Sequence, residues 1–130
     1  MTERKKVTLD DLIKRKIELK QERKYDGELF VPSLDGDIQI EVLKSDVVDF
    51  MESMKESKSE KDYENIAQTL IYSIVKTPNL TDKKLQKEFE CEEPTDIVKY
   101  IFTDAEQADI LEFAVSAVGM SRGAVKEVKN

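Results

Sequence analysis

Between Tyr63 and Val75 the apolar residues are Tyr63, Ile66, Ala67, Leu70, Ile71, Ile74 and Val75. This is the i, i+3, i+4, i+7, i+8 spacing that lines one side of an α-helix. So broad a stripe is not stable facing water, and other elements must cover it. A helix here is therefore expected at the centre of the fold, with Pro78 ending it.

The segments on either side supply candidate covers. After Pro78, Thr81 is placed to cap a short helix. Leu80 and Leu85 occupy staple positions, and Leu85 and Phe89 share its inner face. Pro94 suits the start of a further short helix, in which Ile97, Val98, Ile101 and Phe102 recur at helical spacing. Thr103 and Glu106 form a capping box for the last helix. That helix is apolar at Ile110, Leu111, Phe113, Ala114, Val115, Ala117 and Val118, with a thin polar stripe of Asp109, Glu112 and Ser116. A helix apolar on nearly every side must be covered on nearly every side. Either its neighbours enclose it or part of it, with Ile110 and Phe113 as candidates, is an interface. Gly119 suits the C′ position.

Ahead of the central helix the periodicity changes. Ile38, Ile40 and Val42 alternate with polar residues, the period of a half-buried strand, and Asp35-Gly36 signals a hairpin turn. If Asp35 and Gly36 form a two-residue loop, Val31 faces Ile40 and Leu29 faces Val42, placing all four on one face and leaving Phe30 on the other. The hairpin spans about residues 28–43. An isolated hairpin is marginal in water, so this one must lie on helices or join another sheet. Ser45 is placed to cap a helix from Asp46 to about Lys55, and the apolar-free stretch 55–62 reads as a solvated loop. On that helix Phe50, Met51 and Met54 are candidate partner-binding residues, because flexible thioethers adapt to varied surfaces; the same residues also serve as ordinary core filling.

At the start of the chain, Thr8 caps a helix expected to reach about Arg23, with Val7 and Leu12 as its staple and one narrow apolar side (Leu9, Leu12, Ile13, Ile17, Leu19) docked. Residues 1–24 hold nine Lys/Arg against five Asp/Glu, a net of +4, whereas residues 25–130 carry −11. The first 24 residues thus read as a basic helix or a separable arm, residues 25–119 as one globular domain, and 120–130 as a disordered tail. The fold class is α+β, mostly α, with five to six helices and one β-hairpin.

The chemistry of the side chains is mainly exclusionary. There is no histidine, which removes the commonest general base and histidine metal sites. Cys91 is the sole cysteine, excluding internal disulfides and cysteine-rich zinc sites and favouring a reduced, cytoplasmic setting. None of the four glycines builds a phosphate-cradling loop. No apolar run approaches a membrane span or a signal peptide. The net charge of −7 argues against nucleic acid as the main partner. A binding protein without cofactor, metal or catalytic activity is the expectation. One form of it is a small acidic adaptor or regulator that docks through its basic N-terminal helix.

An ordered series of segments points to another form. TLDDLIKRK (8–16), LFVPSLDGDIQIEV (29–42), the central apolar helix, PNLTDKKLQKEFECEEPTDIVKYIF (78–102) and the capped last helix ending at Gly119 together resemble the XkdN-like tail assembly chaperones of phages and prophages of Gram-positive bacteria. The resemblance implies a cytoplasmic protein, absent from the finished virion. It would bind the long helical tape measure protein, keep it soluble, and help tail tube subunits assemble around it, alone or as a homo-oligomer. It implies no residue-level binding motif.

Overall fold

The computed structural model describes residues 6–119. Along the chain come α1 (Leu9–Lys14), α2 (Lys16–Lys20), β1 (Lys24–Val31), a 3-10 turn (Pro32–Leu34), β2 (Gly36–Leu43), α3 (Lys44–Glu56), α4 (Glu60–Ile74), β3 (Val75–Thr77), α5 (Lys83–Glu88), α6 (Asp96–Ile101) and α7 (Asp104–Ala117). The chain is α+β and mostly α, with seven α-helices and a three-stranded antiparallel sheet among the described residues. The disorder expected for 120–130 falls outside them.

As its periodicity requires, α4 is central. Leu70, Ile71 and Ile74 are buried, and the helix packs against α3, α6, α7 and the sheet. The core around them is made of Val31, Ile38, Ile40 and Val42 from the sheet, Val47 from α3, Leu80, Ile97, Val98 and Phe102 from the middle segments, and Ile110 and Ala114 from α7. Strand β2 contributes every second residue, so its alternation in sequence is its burial pattern in space.

The hairpin differs in register from the expectation. Val31 pairs with Gly36, Leu29 with Ile38, Gly27 with Ile40 and Tyr25 with Val42. Pro32 opens a 3-10 turn and Asp35 takes a left-handed φ of 50°, so Pro32–Asp35 span the reversal and Gly36 begins β2. The pairing slides by an even number of residues, which leaves each side chain on its expected face. Phe30 is accordingly on the outer face, opposite Asp37. The hairpin is also longer than 28–43, beginning at Lys24.

A third strand, β3, pairs with β2 at Gln39↔Thr77 and Ile40↔Val75 across an irregularity. Thr77 Oγ1 donates to the Gln39 amide oxygen Oε1 at 3.1 Å. Val75 continues the helical spacing in sequence but is extended in space, and three residues are too few to show a strand period.

The helix boundaries carry further corrections. Asp46, not Ser45, closes the start of α3, its carboxylate accepting from the Leu43 N–H at 3.1 Å. Ser57, Lys58 and Ser59 alone separate α3 from α4, so most of the supposed 55–62 loop is helical. Asp82 caps α5 in place of Thr81, whose N–H and hydroxyl both donate to Asn79. Phe89 lies at the end of α5, exposed and stacked on Tyr100 with ring centroids 6.2 Å apart. The capping box of Thr103 and Glu106 and the positive φ of Gly119 after α7 are as the sequence indicates.

Candidate partner-binding surface

A groove runs between α3 and α4. Short polar side chains set its helices: Ser57 Oγ donates to the Met54 carbonyl at the end of α3, and Ser59 Oγ accepts from the Asp62 N–H at the start of α4. The groove is lined by Asp46, Asp49, Phe50 and Ser53 from α3 and by Asn65, Ile66, Thr69, Leu70 and Ser73 from α4. Phe50, Ile66 and Leu70 make its apolar part. Two hydroxyls on its rim are already engaged, Thr69 Oγ1 with the Asn65 carbonyl and Ser73 Oγ with the Thr69 carbonyl. Covering them forfeits little hydrogen bonding with water. Among the described residues the charged side chains in the lining are Asp46 and Asp49, both on α3, and the apolar ones are Phe50, Ile66 and Leu70.

The candidate residues divide between this groove and the interior. Phe50 and Met51 are half-buried against the core, and Met54 is half-buried near the end of α3. Phe50 reaches the groove. Ile110 is only 1% exposed and belongs to the core, so it offers no contact to a partner in this fold. Phe113 is half-buried and lies directly on Gly27 of β1, where any Cβ would overlap its ring. Leu111, Val115 and Val118 also pack on the core, and the outward side of α7 is Asp109, Glu112 and Ser116. Neighbours thus cover part of the last helix, with Ile110 and Ala114 buried and Leu111, Phe113, Val115 and Ala117 half-buried.

Glu106 is the most constrained ionisable group. Its carboxylate accepts from the Ser33 N–H at 2.9 Å, the Ser33 hydroxyl at 2.7 Å and the Thr103 N–H at 2.9 Å. The backbone donor of Ser33, then that of Thr103, then the Ser33 hydroxyl hold its pKa at about 2 against an ordinary 4.5, with desolvation opposing. One side chain therefore caps α7 and clamps the β1–β2 turn. So acidic a carboxylate is a poor general base for the serine it touches, and the pair is architectural. Gln86 has a similar role, its amide donating to the carbonyls of Leu80 and Pro94 and tying together the segments flanking α5. Neither long-range role leaves a signal in sequence beyond the capping-box spacing of Glu106.

The N-terminal segment is arranged differently. Helices α1 and α2 meet at Arg15, and α2 ends at Lys20, short of the expected Arg23. No residue from Lys6 to Lys24 is buried or half-buried, so the segment is not docked on one side. Leu9 is 79% exposed, Ile13 65% and Ile17 70%. Near its base the Glu22 carboxylate accepts from the Ser45 N–H at 2.8 Å, and β1 begins at Lys24.

Among the described residues no cluster of acidic or cysteine side chains is arranged to hold a metal ion, and burial pushes the Cys91 thiol up, away from the reactive thiolate. No described helix is long and apolar enough to cross a membrane. The fold presents a groove between α3 and α4 and an exposed apolar arm. The chain belongs to the phage XkdN-like tail assembly chaperone family, whose sequence model matches residues 32–129. The match takes in the sheet from β2 onward, α3 to α7 and the segment after Gly119, while the arm and β1 lie outside it. No curated protein and no solved structure matches the chain.

Proposed function

We propose that this protein binds the tape measure protein of a phage or prophage tail in the host-cell cytoplasm. It keeps that protein soluble, assists assembly of tail tube subunits around it, and leaves before the virion is complete. The family match over residues 32–129 carries this reading. The structure supports it with a groove suited to an apolar helix. A tape measure protein is long and helical and exposes apolar faces until the tube encloses it. A helix laid between α3 and α4 would place its apolar side on Phe50, Ile66 and Leu70, with Met51 and Met54 on α3 adapting to a varied sequence. The protein acts without cofactor, metal or catalysis, since covering a surface reversibly needs only burial.

Co-expression with the long helical protein encoded beside this gene tests the proposal. The expected result is that the neighbour becomes soluble and co-purifies in high salt, because burial of apolar surface is insensitive to screening. An equally insoluble neighbour with and without this protein would overturn it.

A further inference from the structure

The arm is a short, capped, amphipathic segment with nothing on it. Its cap is complete, Thr8 Oγ1 accepting from the Asp11 N–H at 3.2 Å and the Asp11 carboxylate from the Thr8 N–H at 3.0 Å. Yet α1 and α2 have six and five residues, and helices of this length are marginal in water without a surface to lie on. Leu9, Ile13 and Ile17 recur every fourth residue along it and are largely exposed. Among the described residues Arg15, Lys16, Lys20 and Arg23 make no ion pair, although Lys14 pairs with Asp10.

The body carries the complement. The α3–α4 groove is lined by the apolar Phe50, Ile66 and Leu70 and by the acidic Asp46 and Asp49, with no basic residue among the described residues of its lining. At the level of whole segments, a net of +4 in residues 1–24 stands against −11 in residues 25–130. In this structure the arm is not seated in its own groove, since every residue from Lys6 to Lys24 is exposed. Gln21 is extended, no glycine or proline precedes Gly27, and the Glu22–Ser45 hydrogen bond fixes the base of the arm at the first turn of α3.

We infer that the arm seats in the α3–α4 groove of a second copy of this chain, so that two copies exchange arms about a twofold axis. Leu9, Ile13 and Ile17 cover Phe50 and Ile66 of the partner subunit, and the arm's cations face the partner's Asp46 and Asp49. Reciprocal exchange closes the assembly at two copies and leaves no open groove to recruit a third. This contact stands independently of the client. If the client uses the same groove, as proposed above, arm and client exclude one another, and the exchanged dimer is the form in which the groove is kept covered between clients.

The test is light scattering of the full chain after size exclusion, at low salt and without client. The wild-type protein is expected at twice 15.0 kDa. Ile13→Asp on the arm and Asp49→Lys in the groove are both exposed changes that leave the fold intact, and each is expected to weaken association at least tenfold and give the monomer. Mixing the two variants is expected to restore a dimer, since the Asp49→Lys chain still offers a sound arm and the Ile13→Asp chain a sound groove. A monomeric wild type at all concentrations would overturn the inference, including the case of an arm folded onto its own body. So would dimers that survive both substitutions. The mixture keeps one of the two arm–groove contacts, so a mixture that associates no more than either variant alone would also overturn it.

Discussion

Two helices of this protein begin with the same device and end in opposite circumstances. Thr8 with Asp11 opens α1 and Thr103 with Glu106 opens α7, each a reciprocal capping box. Behind the second, Ile110 is 1% exposed; behind the first, Ile13 is 65% exposed. A cap satisfies the free N–H groups of a helix start and so decides where the helix begins. It has no bearing on what covers the helix afterwards. The difference arises one atom further out. The Glu106 carboxylate also reaches Ser33 and fixes the start of α7 against the β1–β2 turn, whereas among the described residues the Asp11 carboxylate accepts a hydrogen bond from Thr8 alone.

Substitution of the two aliphatic residues should widen this contrast most. Ile110→Ala is expected to cost about 2–5 kcal/mol in denaturant unfolding, because it opens a cavity in the core. At protein concentrations low enough to keep the chain monomeric, Ile13→Ala should change stability by less than about 0.5 kcal/mol. Equal effects would mean that the arm folds as part of the body.

A smaller effect is expected where α7 meets the sheet. Gly27→Ala sets a methyl group into the Phe113 ring and should destabilise by about 1–3 kcal/mol. In a Phe113→Ala background the same change should cost little, and the coupling measured by that double-mutant cycle reads the contact directly. A Gly27→Ala cost that persists without the ring would place its origin in the strand instead.

The two caps can be compared by pH. Glu106 is more acidic folded than unfolded, so its contribution to stability is whole above pH 4.5 and fades as the pH falls towards 2. Glu106→Gln should therefore lower stability at neutral pH and flatten the acid side of the stability profile over that window. The smallest effect belongs to Thr8→Ala, which should reduce the helical signal of the arm while leaving the unfolding midpoint of the body in place. A shift of that midpoint would show that the arm and body are coupled.

The comparison also indicates what could be read from the chain. The central helix, the alternation of β2, the faces of the hairpin and the last helix were legible because period and caps are local properties. The register was not, since Asp35-Gly36 has the form of a two-residue turn, while the observed reversal from Pro32 to Asp35 is held at Ser33 by the Glu106 carboxylate, distant in sequence. Strand β3 was hidden because Val75 fits both the helical stripe before it and the strand it begins. Phe50, Met51 and Met54 are candidates from side-chain character alone, and the structure adds that Phe50 lines a groove between α3 and α4. Ile110 was misplaced because an all-round apolar helix has the same sequence whether its own fold or a partner encloses it. The arm reads either as a helix docked on one side or as a separable arm, and its apolar residues do not say which; in the structure they are exposed.

The measurement that bears most directly on the proposed function is retention of the tape measure protein in high salt by wild-type protein and by Phe50→Asp, with circular dichroism to verify that the variant is folded. The account predicts that the wild type holds the client and a folded Phe50→Asp loses it, whereas Ile13→Asp, with its groove freed from the exchanged arm, binds more tightly than wild type. A folded Phe50→Asp that retains the client as well as wild type would contradict the assignment of the α3–α4 groove.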